Sequence, residues 1–234
     1  MKVYAITGAT GGMGISLCHR LAKSGYALAL CSTNEGLLES LSQELTERYG
    51  ISVHYAAFDI CDEAAAEEFY VQAEEKFGKL DGLINLAGLS IPTKMESVTP
   101  EDFDKMYNVN VKGALLAAKH YALHAVEQGG LIINLGSMAG RRANANAPLY
   151  CTSKSALNML SSAMQLQLAG KDIRITTLNP GGVDTRFWGE RKVDRSKLMS
   201  ADDVVDAIEF VVEHPRMVIY SMDFEAAVRV PDLK

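Results

Sequence analysis

The stretch MKVYAITGATGGMG, residues 1–14, decides the fold class. Its apolar run ends at Thr7, and four glycines follow within seven positions before an amphipathic helical pattern over Gly12–Ser24. A strand that turns sharply into a helix needs glycine at the turn, because glycine adopts backbone conformations that other residues avoid. The stretch therefore predicts a strand, a tight turn and a helix whose first backbone amides are free to bind an anion.

Two glycine spacings can be read in this turn. Gly8, Gly12 and Gly14 give T-G-x-x-x-G-x-G, whereas Gly8, Gly11 and Gly14 give T-G-x-x-G-x-x-G. Both patterns indicate a dinucleotide-binding turn, but they are typical of enzymes with different chemistry. No Gly-Lys-Ser/Thr follows, which excludes a P-loop. The glycines alone leave open a tight turn that binds no ligand.

Apolar β-rich runs alternate with helical patterns along the 234 residues. The runs predict strands at Lys2–Thr7, Ala27–Ser32, Val53–Phe58, Gly82–Asn85, Leu131–Leu135, Ile173–Leu178 and Met217–Tyr220. The patterns predict helices at Gly12–Ser24, Glu35–Tyr49, Asp62–Phe77, Glu101–Val126, Leu149–Ala169 and Ala201–Glu213. Continuously apolar strands with a helix after each are typical of a parallel sheet covered on both faces. We expect a single α/β domain over residues 1–234, a doubly wound Rossmann fold with a parallel seven-stranded sheet.

Composition excludes several classes of protein. Hydrophobic residues make up 48% of the chain, and the net charge of −6 with no long basic run gives no reason to expect nucleic acid. Four widely separated cysteines form no C-x-x-C pair, and His120 and His124 lack an acidic third ligand in the metal-binding pattern, so no metal is expected. There is no signal-peptide h-region and no stretch as long as a membrane span. A soluble cytoplasmic protein that binds no membrane is expected.

Ligands of such a sheet bind at the carboxyl ends of the strands. Polar residues concentrate just after the predicted strands, at Gly8–Gly14, Ser32–Asn34, Asp59, Asn85–Gly88, Ser137 and Asn179–Gly182. Because parallel strands end at the same edge, one edge of the sheet is expected to carry the site.

The segment Tyr150-Cys-Thr-Ser-Lys154 places a phenol and an ammonium on one face of a helix. The lysine charge favours the phenolate and would lower the tyrosine pKa from about 10, which suits a general acid or base. Taken alone, this spacing also describes an ordinary solvated helix face. Ser137 could bond a substrate oxygen, but Gly136 directly precedes it, so the segment lacks the G-x-S-x-G elbow of hydrolases.

In their order along the chain, these motifs resemble the short-chain dehydrogenases/reductases, in their shorter single-domain subgroup. The resemblance covers almost the whole length and is carried by Thr7–Gly14, Asp59, N-x-A-G at Asn85–Gly88, Asn110 in VNVKG, Ser137, Tyr150–Lys154 and N-P-G-G-V-D-T at Asn179–Thr185. It selects the spacing of Gly8, Gly12 and Gly14. Leu86 stands where the family often has a second asparagine. Epimerases and dehydratases of the longer subgroup usually have a larger C-terminal domain, and only about fifty residues follow Pro180.

The resemblance implies a catalytic set of Asn110, Ser137, Tyr150 and Lys154. Tyr150 would exchange a proton with the substrate oxygen that Ser137 orients. Lys154 would lower the Tyr150 pKa and hold the nicotinamide ribose, and Asn110 would hold a water of a proton relay. The residues that would bind the cofactor are Gly8, Thr10, Gly12, Met13, Gly14, Ser32, Thr33, Asn34, Asp59, Ile60, Asn85, Ala87, Gly88, Tyr150, Lys154, Pro180, Gly181, Val183 and Thr185.

The substrate pocket is expected between three segments of the chain, Leu89–Pro92, Met138–Asn144 and Arg186–Leu198. Its expected lining residues are Leu89, Met138, Asn144, Phe187 and Trp188. The two aromatic residues would form an apolar wall or lid, or would be buried beneath the loop. Arg141 or Arg142 would hold a substrate carboxylate, if the substrate has one.

The end of the second strand bears on the cofactor. An acid there would bond the ribose 2′-hydroxyl and repel a 2′-phosphate, but Ser32, Thr33 and Asn34 occupy these positions. We therefore favour NADP(H), while NAD(H) stays open because the family's usual arginine is also absent. An alternative interpretation is that Ser32–Asn34 only cap the next helix.

The resemblance implies hydride transfer between a nicotinamide and a carbonyl or secondary alcohol, as in a carbonyl reductase or alcohol dehydrogenase. A 3-oxoacyl thioester reductase and a 3-hydroxy acid dehydrogenase are alternatives within that class. A non-catalytic dinucleotide-binding sensor is the alternative from another class, although it would not need the catalytic residue types. Val109–Val126 and Ala156–Leu168 are apolar nearly all round, and the family pairs these helices between subunits. A homodimer or homotetramer is therefore expected.

Overall fold

The structure, a computed structural model, describes residues 1–124 and 129–227. Seven parallel strands form one sheet in the order β3-β2-β1-β4-β5-β6-β7. The strands are β1 Val3–Thr7, β2 Ala27–Ser32, β3 Val53–Ala57, β4 Gly82–Asn85, β5 Gly130–Leu135, β6 Ile173–Pro180 and β7 Ser221–Phe224. The helices are α1 Gly12–Lys23, α2 Glu35–Tyr49, α3 Glu63–Phe77, α4 Pro100–Tyr107, α5 Ala114–His124, α6 Pro148–Leu168 and α7 Ala201–Glu213. The predicted fold class is confirmed.

Both faces of the sheet are covered, which explains why the strands are apolar at nearly every position. Ile6 and Leu30 face α1, α2 and α7 within one buried cluster, whereas Ala5 and Ala29 face α3, α5 and α6 within another. Strand β1 pairs with both β2 and β4, so the chain reverses its direction of winding at this point. A crevice therefore opens beyond the carboxyl ends of β1 and β4, where ligands of doubly wound sheets bind.

The last strand lies four residues later than predicted. The expected strand Met217–Tyr220 is wrong, and the edge strand is Ser221–Phe224, which pairs with Thr177–Pro180. In the predicted segment, backbone carbonyls accept hydrogen bonds from side chains of β6. Arg174 Nη1 donates to Met217 O at 2.7 Å, and Thr176 Oγ1 donates to Ile219 O at 2.7 Å. These side-chain bonds take the place of strand-to-strand backbone bonds, so the apolar run 217–220 lies beside β6 without forming a strand.

The predicted helix Glu101–Val126 is interrupted. A π-helical segment, Asn108–Gly113, separates α4 from α5, and residues 125–126 lie outside the described residues. The wider turn lets the side chain of Asn110 reach the backbone of Leu89, to which it donates and from which it accepts at 2.9 Å. Segments of this kind are frequently found at functional sites.

Two expectations from the sequence concern membrane spans and the cysteines. Within residues 1–124 and 129–227, no helix combines the length and the apolar character that a membrane span needs. The four cysteines are free thiols, and Cys18, Cys31 and Cys151 are buried. Unpaired thiols are typical of a reducing compartment. The cytoplasmic location stays a prediction.

Candidate active site

The glycine turn between β1 and α1 is tightly packed against backbone. Gly8 has a φ of +69°, and a β-carbon there would lie 2.8 Å from Ala87 N. A β-carbon on Gly14 would meet Gly8 O, and Ala9 O at 2.6 Å, while one on Gly12 would meet Thr185 Cγ2 at 3.1 Å. At Gly11 a β-carbon would meet Gly8 O alone, at 3.2 Å. The packing thus leaves no room for a β-carbon at Gly8 and Gly14, whereas Gly11 and Gly12 are each tightly but less severely packed.

A cavity of about 530 Å³ follows the carboxyl ends of β1, β2, β3 and β4. Its lining contains Gly8, Thr10, Gly12, Met13, Gly14, Ser32, Thr33, Asp59, Ile60, Ala87, Gly88 and Thr185, all expected at the cofactor. We call it the cofactor cavity. At the start of α1, glycines leave the backbone amides accessible to a pyrophosphate. The ends of β2 and β3 provide hydroxyl and carboxylate groups that could bond the polar parts of a nucleotide. These residues fit a dinucleotide.

Two expected cofactor residues do not line either cavity. Asn34 caps α2, since its side-chain oxygen accepts from Leu37 N at 2.9 Å, as the capping interpretation of this segment requires. Asn85 is buried and braces three strands, because its amide donates to Asn134 Oδ1 at 2.8 Å while its oxygen accepts from Thr7 Oγ1 at 3.3 Å. Asn85 would therefore affect the cofactor indirectly, by holding together the strands that border its cavity.

Two cations of the cofactor cavity were missed by sequence reasoning. Lys105 of α4 and Arg186 line it together with Asp59, so that cationic groups outnumber carboxylates. Lys105 lies inside a helix, and Arg186 begins the loop after β6 that was expected to border the substrate, so neither was assigned to the cofactor. The charge balance favours an anionic ligand.

A second cavity of about 480 Å³ adjoins the first and contains Ser137, Tyr150 and Lys154. We call it the substrate cavity. Pro180, Gly181, Val183 and Thr185 also line it, as do Met138, Asn144, Phe187 and Trp188. Leu89, expected here, lines the cofactor cavity instead, because its backbone is drawn towards Asn110.

Strand ends and a helix start hold the catalytic candidates. Ser137 follows β5, and its backbone N donates to Asn179 Oδ1 at 3.1 Å while its Oγ accepts from Ala139 N at 3.1 Å. Tyr150 lies in the first turn of α6, which begins at Pro148. One turn later, Lys154 is buried and its Nζ donates to Leu135 O at 2.7 Å. The structure thus brings Ser137 of one motif to the same cavity as Tyr150 and Lys154 of another.

Asn110 lies behind this group. Its Nδ2 donates to Leu89 O at 2.9 Å and to Ser153 Oγ at 3.0 Å. A β-carbon on Gly88 would lie 3.3 Å from Asn110 Oδ1 and 3.4 Å from Lys154 Nζ, so both groups border the same small space. The absence of a side chain at Gly88 keeps this space open beside the lysine. Asn110 itself lines neither cavity.

The electrostatics differ from the sequence expectation. Burial raises the pKa of Tyr150 to about 12, although the Ser137 hydroxyl and the Arg191 guanidinium each lower it. Burial also lowers the pKa of Lys154 to about 8. The expected lowering of the Tyr150 pKa by Lys154 is wrong for this structure, because the ammonium lies 5.9 Å from the ring centroid and bonds to Leu135 O. Tyr150 is thus a protonated phenol at neutral pH, ready to donate.

The buried lysine predicts a pH-dependent stability difference between the wild type and Lys154→Met. Its pKa is lowered from 10.5 to about 8 on folding, so the folded state loses this proton first as the pH rises. The free energy of unfolding of the wild type, relative to the variant, should therefore increase by about 2 kcal/mol between pH 7.5 and 9.5. Urea unfolding of both proteins at several pH values measures it, and a constant difference would contradict the assignment.

The loop after β6 forms the apolar wall of the substrate cavity. Trp188 is half-buried and donates from Nε1 to Val183 O at 2.7 Å, and the Phe187 ring lies 5.7 Å from that of Tyr150. Of the two arginines expected at a carboxylate, Arg142 lines the cavity but pairs with Glu225, and exposed Arg141 pairs with Asp223 at 3.3 Å. The loop's own Arg191 also lines the cavity. The sequence offered one signal for it, a basic residue three positions after Trp188.

Comparisons with known proteins agree with this geometry. The family model for short chain dehydrogenases matches residues 2–196. An uncharacterized oxidoreductase of Staphylococcus saprophyticus is 28% identical over 220 residues, 92% of each chain. An alcohol dehydrogenase of the archaeon Thermococcus sibiricus superposes with a TM-score of 0.91 at 28% identity and 99% coverage of both chains. A 3-ketoacyl-(acyl-carrier-protein) reductase of Brucella melitensis gives 0.88 at 27% identity and 97% coverage of both. The chain therefore belongs to the short-chain dehydrogenase family and is an oxidoreductase of that family.

Proposed function

We propose that this protein is an NADP(H)-dependent carbonyl reductase or alcohol dehydrogenase. The observation that carries the proposal is the junction of the two cavities. Met13, Leu86, Gly88, Thr185 and Phe187 line both of them, so a ligand that fills the cofactor cavity continues to the edge of the substrate cavity. Ser137, Tyr150 and Lys154 lie on the far side of this junction. A nicotinamide at the junction would face the catalytic candidates.

The catalytic candidates divide the reduction of a carbonyl among themselves. A bound nicotinamide supplies the hydride for the carbonyl carbon. Tyr150 donates its phenolic proton to the carbonyl oxygen, which becomes the alcohol hydroxyl, and takes the proton back in the reverse direction. Ser137 Oγ is placed to bond the same oxygen. Lys154 would bond the nicotinamide ribose and, in its charged form, favour the phenolate left by proton transfer.

Asn110 would support the return of the proton to Tyr150. Its Oδ1 and Lys154 Nζ border the open space beside Gly88, where a water could accept a bond from the lysine. Such a water would pass protons between the lysine and solvent. The proposal is supported by the bond from Leu89 N to Asn110 Oδ1 at 2.9 Å, which restricts the orientation of this side chain in the π-helical segment.

The preference for NADP(H) rests on the end of β2. Thr10 Oγ1 and Ser32 Oγ are 2.6 Å apart, and Thr33 lies beside them in the cofactor cavity, so this end presents hydroxyl groups. The nearest acid in sequence, Glu35, is in the first turn of α2 and does not line the cavity. Similar proteins do not decide the matter, because the Thermococcus sibiricus structure holds 5-hydroxy-NADP and the Brucella melitensis structure holds NADH.

Ser32→Asp is expected to reverse the cofactor preference. The carboxylate would repel a 2′-phosphate and bond a ribose 2′-hydroxyl, lowering the affinity for NADPH by about 10- to 100-fold and leaving NADH binding intact or improved. Ser32→Ala is the matched control, since it removes the same hydroxyl without adding charge. Titration of the nicotinamide fluorescence gives both dissociation constants. An unchanged NADPH affinity in Ser32→Asp would contradict the proposed 2′-phosphate site.

Reduction of a carbonyl panel tests the proposed function. Oxidation of NADPH and of NADH is followed with aldehydes, diketones, 3-oxo acids and 3-oxoacyl thioesters. The proposal predicts turnover of at least one class, faster with NADPH than with NADH. Tight NADPH binding without turnover of any class would favour a dinucleotide-binding sensor over an enzyme of this activity.

We also propose a homodimer or homotetramer formed through α5 and α6. Leu123 of α5 is 62% exposed, and Met159 and Leu166 of α6 are 71% and 82% exposed, so both helices present large apolar side chains that a second copy could cover. Sedimentation at micromolar concentration should show a dimer or tetramer, and the double variant Met159→Glu with Leu166→Glu should shift it towards monomer. A monomeric wild type would contradict this proposal.

A further inference from the structure

Arg191 occupies a fixed place in the wall of the substrate cavity. Its guanidinium carbon lies 5.2 Å from the Phe187 ring centroid and 5.0 Å from that of Trp188, so it rests against both aromatic side chains. It lines the substrate cavity and is absent from the lining of the cofactor cavity, whereas Arg186 shows the reverse. Arg191 is therefore placed to meet the substrate rather than the phosphates of a dinucleotide.

Three hydrogen bonds orient this guanidinium. Nε donates to Trp188 O at 2.8 Å, Nη2 donates to Phe187 O, and Nη1 donates to Ser90 Oγ at 3.3 Å. The first two bonds are within the loop, and the third crosses to the segment after β4. An arginine carries five N–H donors, so two remain after these bonds. A preorganised guanidinium with free donors is suited to a planar anion such as a carboxylate.

In the part of the chain that the structure describes, the charge of Arg191 is not balanced by a carboxylate within ion-pair distance. The other arginine of the cavity, Arg142, pairs with Glu225, which also lines the cavity. Among the described residues, Arg191 forms no ion pair. With Lys154 also in the lining, the substrate cavity has an excess of positive charge. An anionic group of the substrate would supply the missing partner.

Arg191 also acts on Tyr150 across the cavity. Both residues line the substrate cavity, and the Arg191 charge acts to lower the pKa of the Tyr150 phenol. The Phe187 ring is near both groups, because its centroid lies 5.7 Å from that of the Tyr150 ring and 5.2 Å from the Arg191 guanidinium carbon. One small substrate could therefore contact Tyr150 with its carbonyl group and Arg191 with its anionic group.

We propose that Arg191 binds a carboxylate of the substrate, so that the carbonyl reduced at Tyr150 belongs to an oxo acid. The inference rests on the proposed reductase activity and narrows its substrate class. The reaction then takes one hydride from the reduced nicotinamide and one proton from Tyr150, and converts the oxo acid to a hydroxy acid and the oxidised nicotinamide. A 3-oxoacyl thioester, whose acyl group ends in a thioester, would leave Arg191 without its partner.

The test compares acids with their own methyl esters. Straight-chain oxo acids with the carbonyl at carbon 2, 3, 4 or 5, and the corresponding esters, are assayed with wild type, Arg191→Met, Arg191→Lys and Arg142→Met. At the best chain length the wild type should prefer the acid, and Arg191→Met should lower kcat/KM for that acid by about 100-fold with little change for its ester. Arg191→Lys should retain part of the preference, and Arg142→Met should keep the ratio of acid to ester.

Comparison with the ester distinguishes two roles of Arg191, recognition of the substrate carboxylate and structural support of the loop. If Arg191→Met lowers acid and ester equally, Arg191 only holds the loop in place and the proposal is overturned. An unchanged ratio, or a wild-type preference for esters or thioesters, overturns it as well.

Calorimetric titration of the same acids into the NADPH-saturated protein tests the carboxylate site at Arg191 separately from the proposed reductase activity. Acid binding that disappears in Arg191→Met, without any turnover, would support the carboxylate site and refute the reductase. Turnover of neutral ketones, with no detectable binding or turnover of any of the oxo acids by the wild type, would support the reductase and refute the carboxylate site. Absence of both acid binding and turnover would refute both.

Discussion

Replacement of Tyr150 by phenylalanine is expected to lower kcat for carbonyl reduction by about 10³-fold, because it removes the proton donor. The structure gives the physical reason: burial raises the pKa of this phenol to about 12, so its proton is present across the neutral range. The dinucleotide-binding constant should change little, since the glycine turn and the ends of β2 and β3 are untouched. Steady-state rates and fluorescence titration measure the two effects separately.

Tyr220→Phe is the matched control for this variant. Tyr220 is 71% exposed and lines neither cavity, so loss of its hydroxyl should leave kcat and KM unchanged. If Tyr150→Phe retains wild-type turnover, another group donates the proton and the assignment of Tyr150 is wrong. If it loses dinucleotide binding to the same extent as turnover, the phenol serves binding rather than proton transfer.

Gly14→Ala is expected to abolish dinucleotide binding and to destabilise the fold by about 3 kcal/mol. Gly14 lies inside α1, where alanine would by itself favour the helix. The added β-carbon would nevertheless meet Gly8 O and Ala9 O, which belong to backbone and cannot rotate away. Helix α1 would have to move from the turn, and its amides would no longer face the cofactor cavity.

Gly11→Ala separates this steric effect from a general loss of glycine. Gly11 has a φ of −72°, which alanine adopts readily, and its β-carbon would meet Gly8 O at 3.2 Å. We expect a small loss of NADPH affinity and an almost unchanged midpoint of urea unfolding. Equal losses in both variants would show that the spacing of Gly8, Gly12 and Gly14 has no special role.

Most of the fold was predictable from the sequence because burial on both faces leaves a simple pattern. Strands such as Ala27–Ser32 are apolar at consecutive positions, and their predicted bounds are those of the structure. The edge strand was misplaced because it has a neighbour on one side only, and the apolar run before it bonds to Arg174 and Thr176 instead. The π-helical segment was not predictable, since the apolar periodicity continues through Asn110.

Site residues that follow a strand or form a motif were predictable. Properties that depend on contacts between distant segments, or on burial, were less predictable. Ser137, Tyr150 and Lys154 lie together as the motifs indicated. The loop Arg186–Leu198 was predicted to border the substrate, but Arg191 was not picked out within it, because its orientation depends on contacts such as the bond to Ser90, 101 residues away. The direction of the Tyr150 pKa shift was also missed, because spacing shows the nearby lysine but not the burial that outweighs it.

The central claim is direct hydride transfer to a carbonyl with Tyr150 as the proton donor. Reduction of the best substrate from the carbonyl panel with NADPH deuterated at C4 tests it, with mass spectrometry and NMR of the alcohol as the readout. We predict deuterium on the carbinol carbon from one face of the nicotinamide, and no labelled alcohol above background with Tyr150→Phe. Oxidation of NADPH without deuterium in the alcohol, or equal labelling by Tyr150→Phe, would contradict the account.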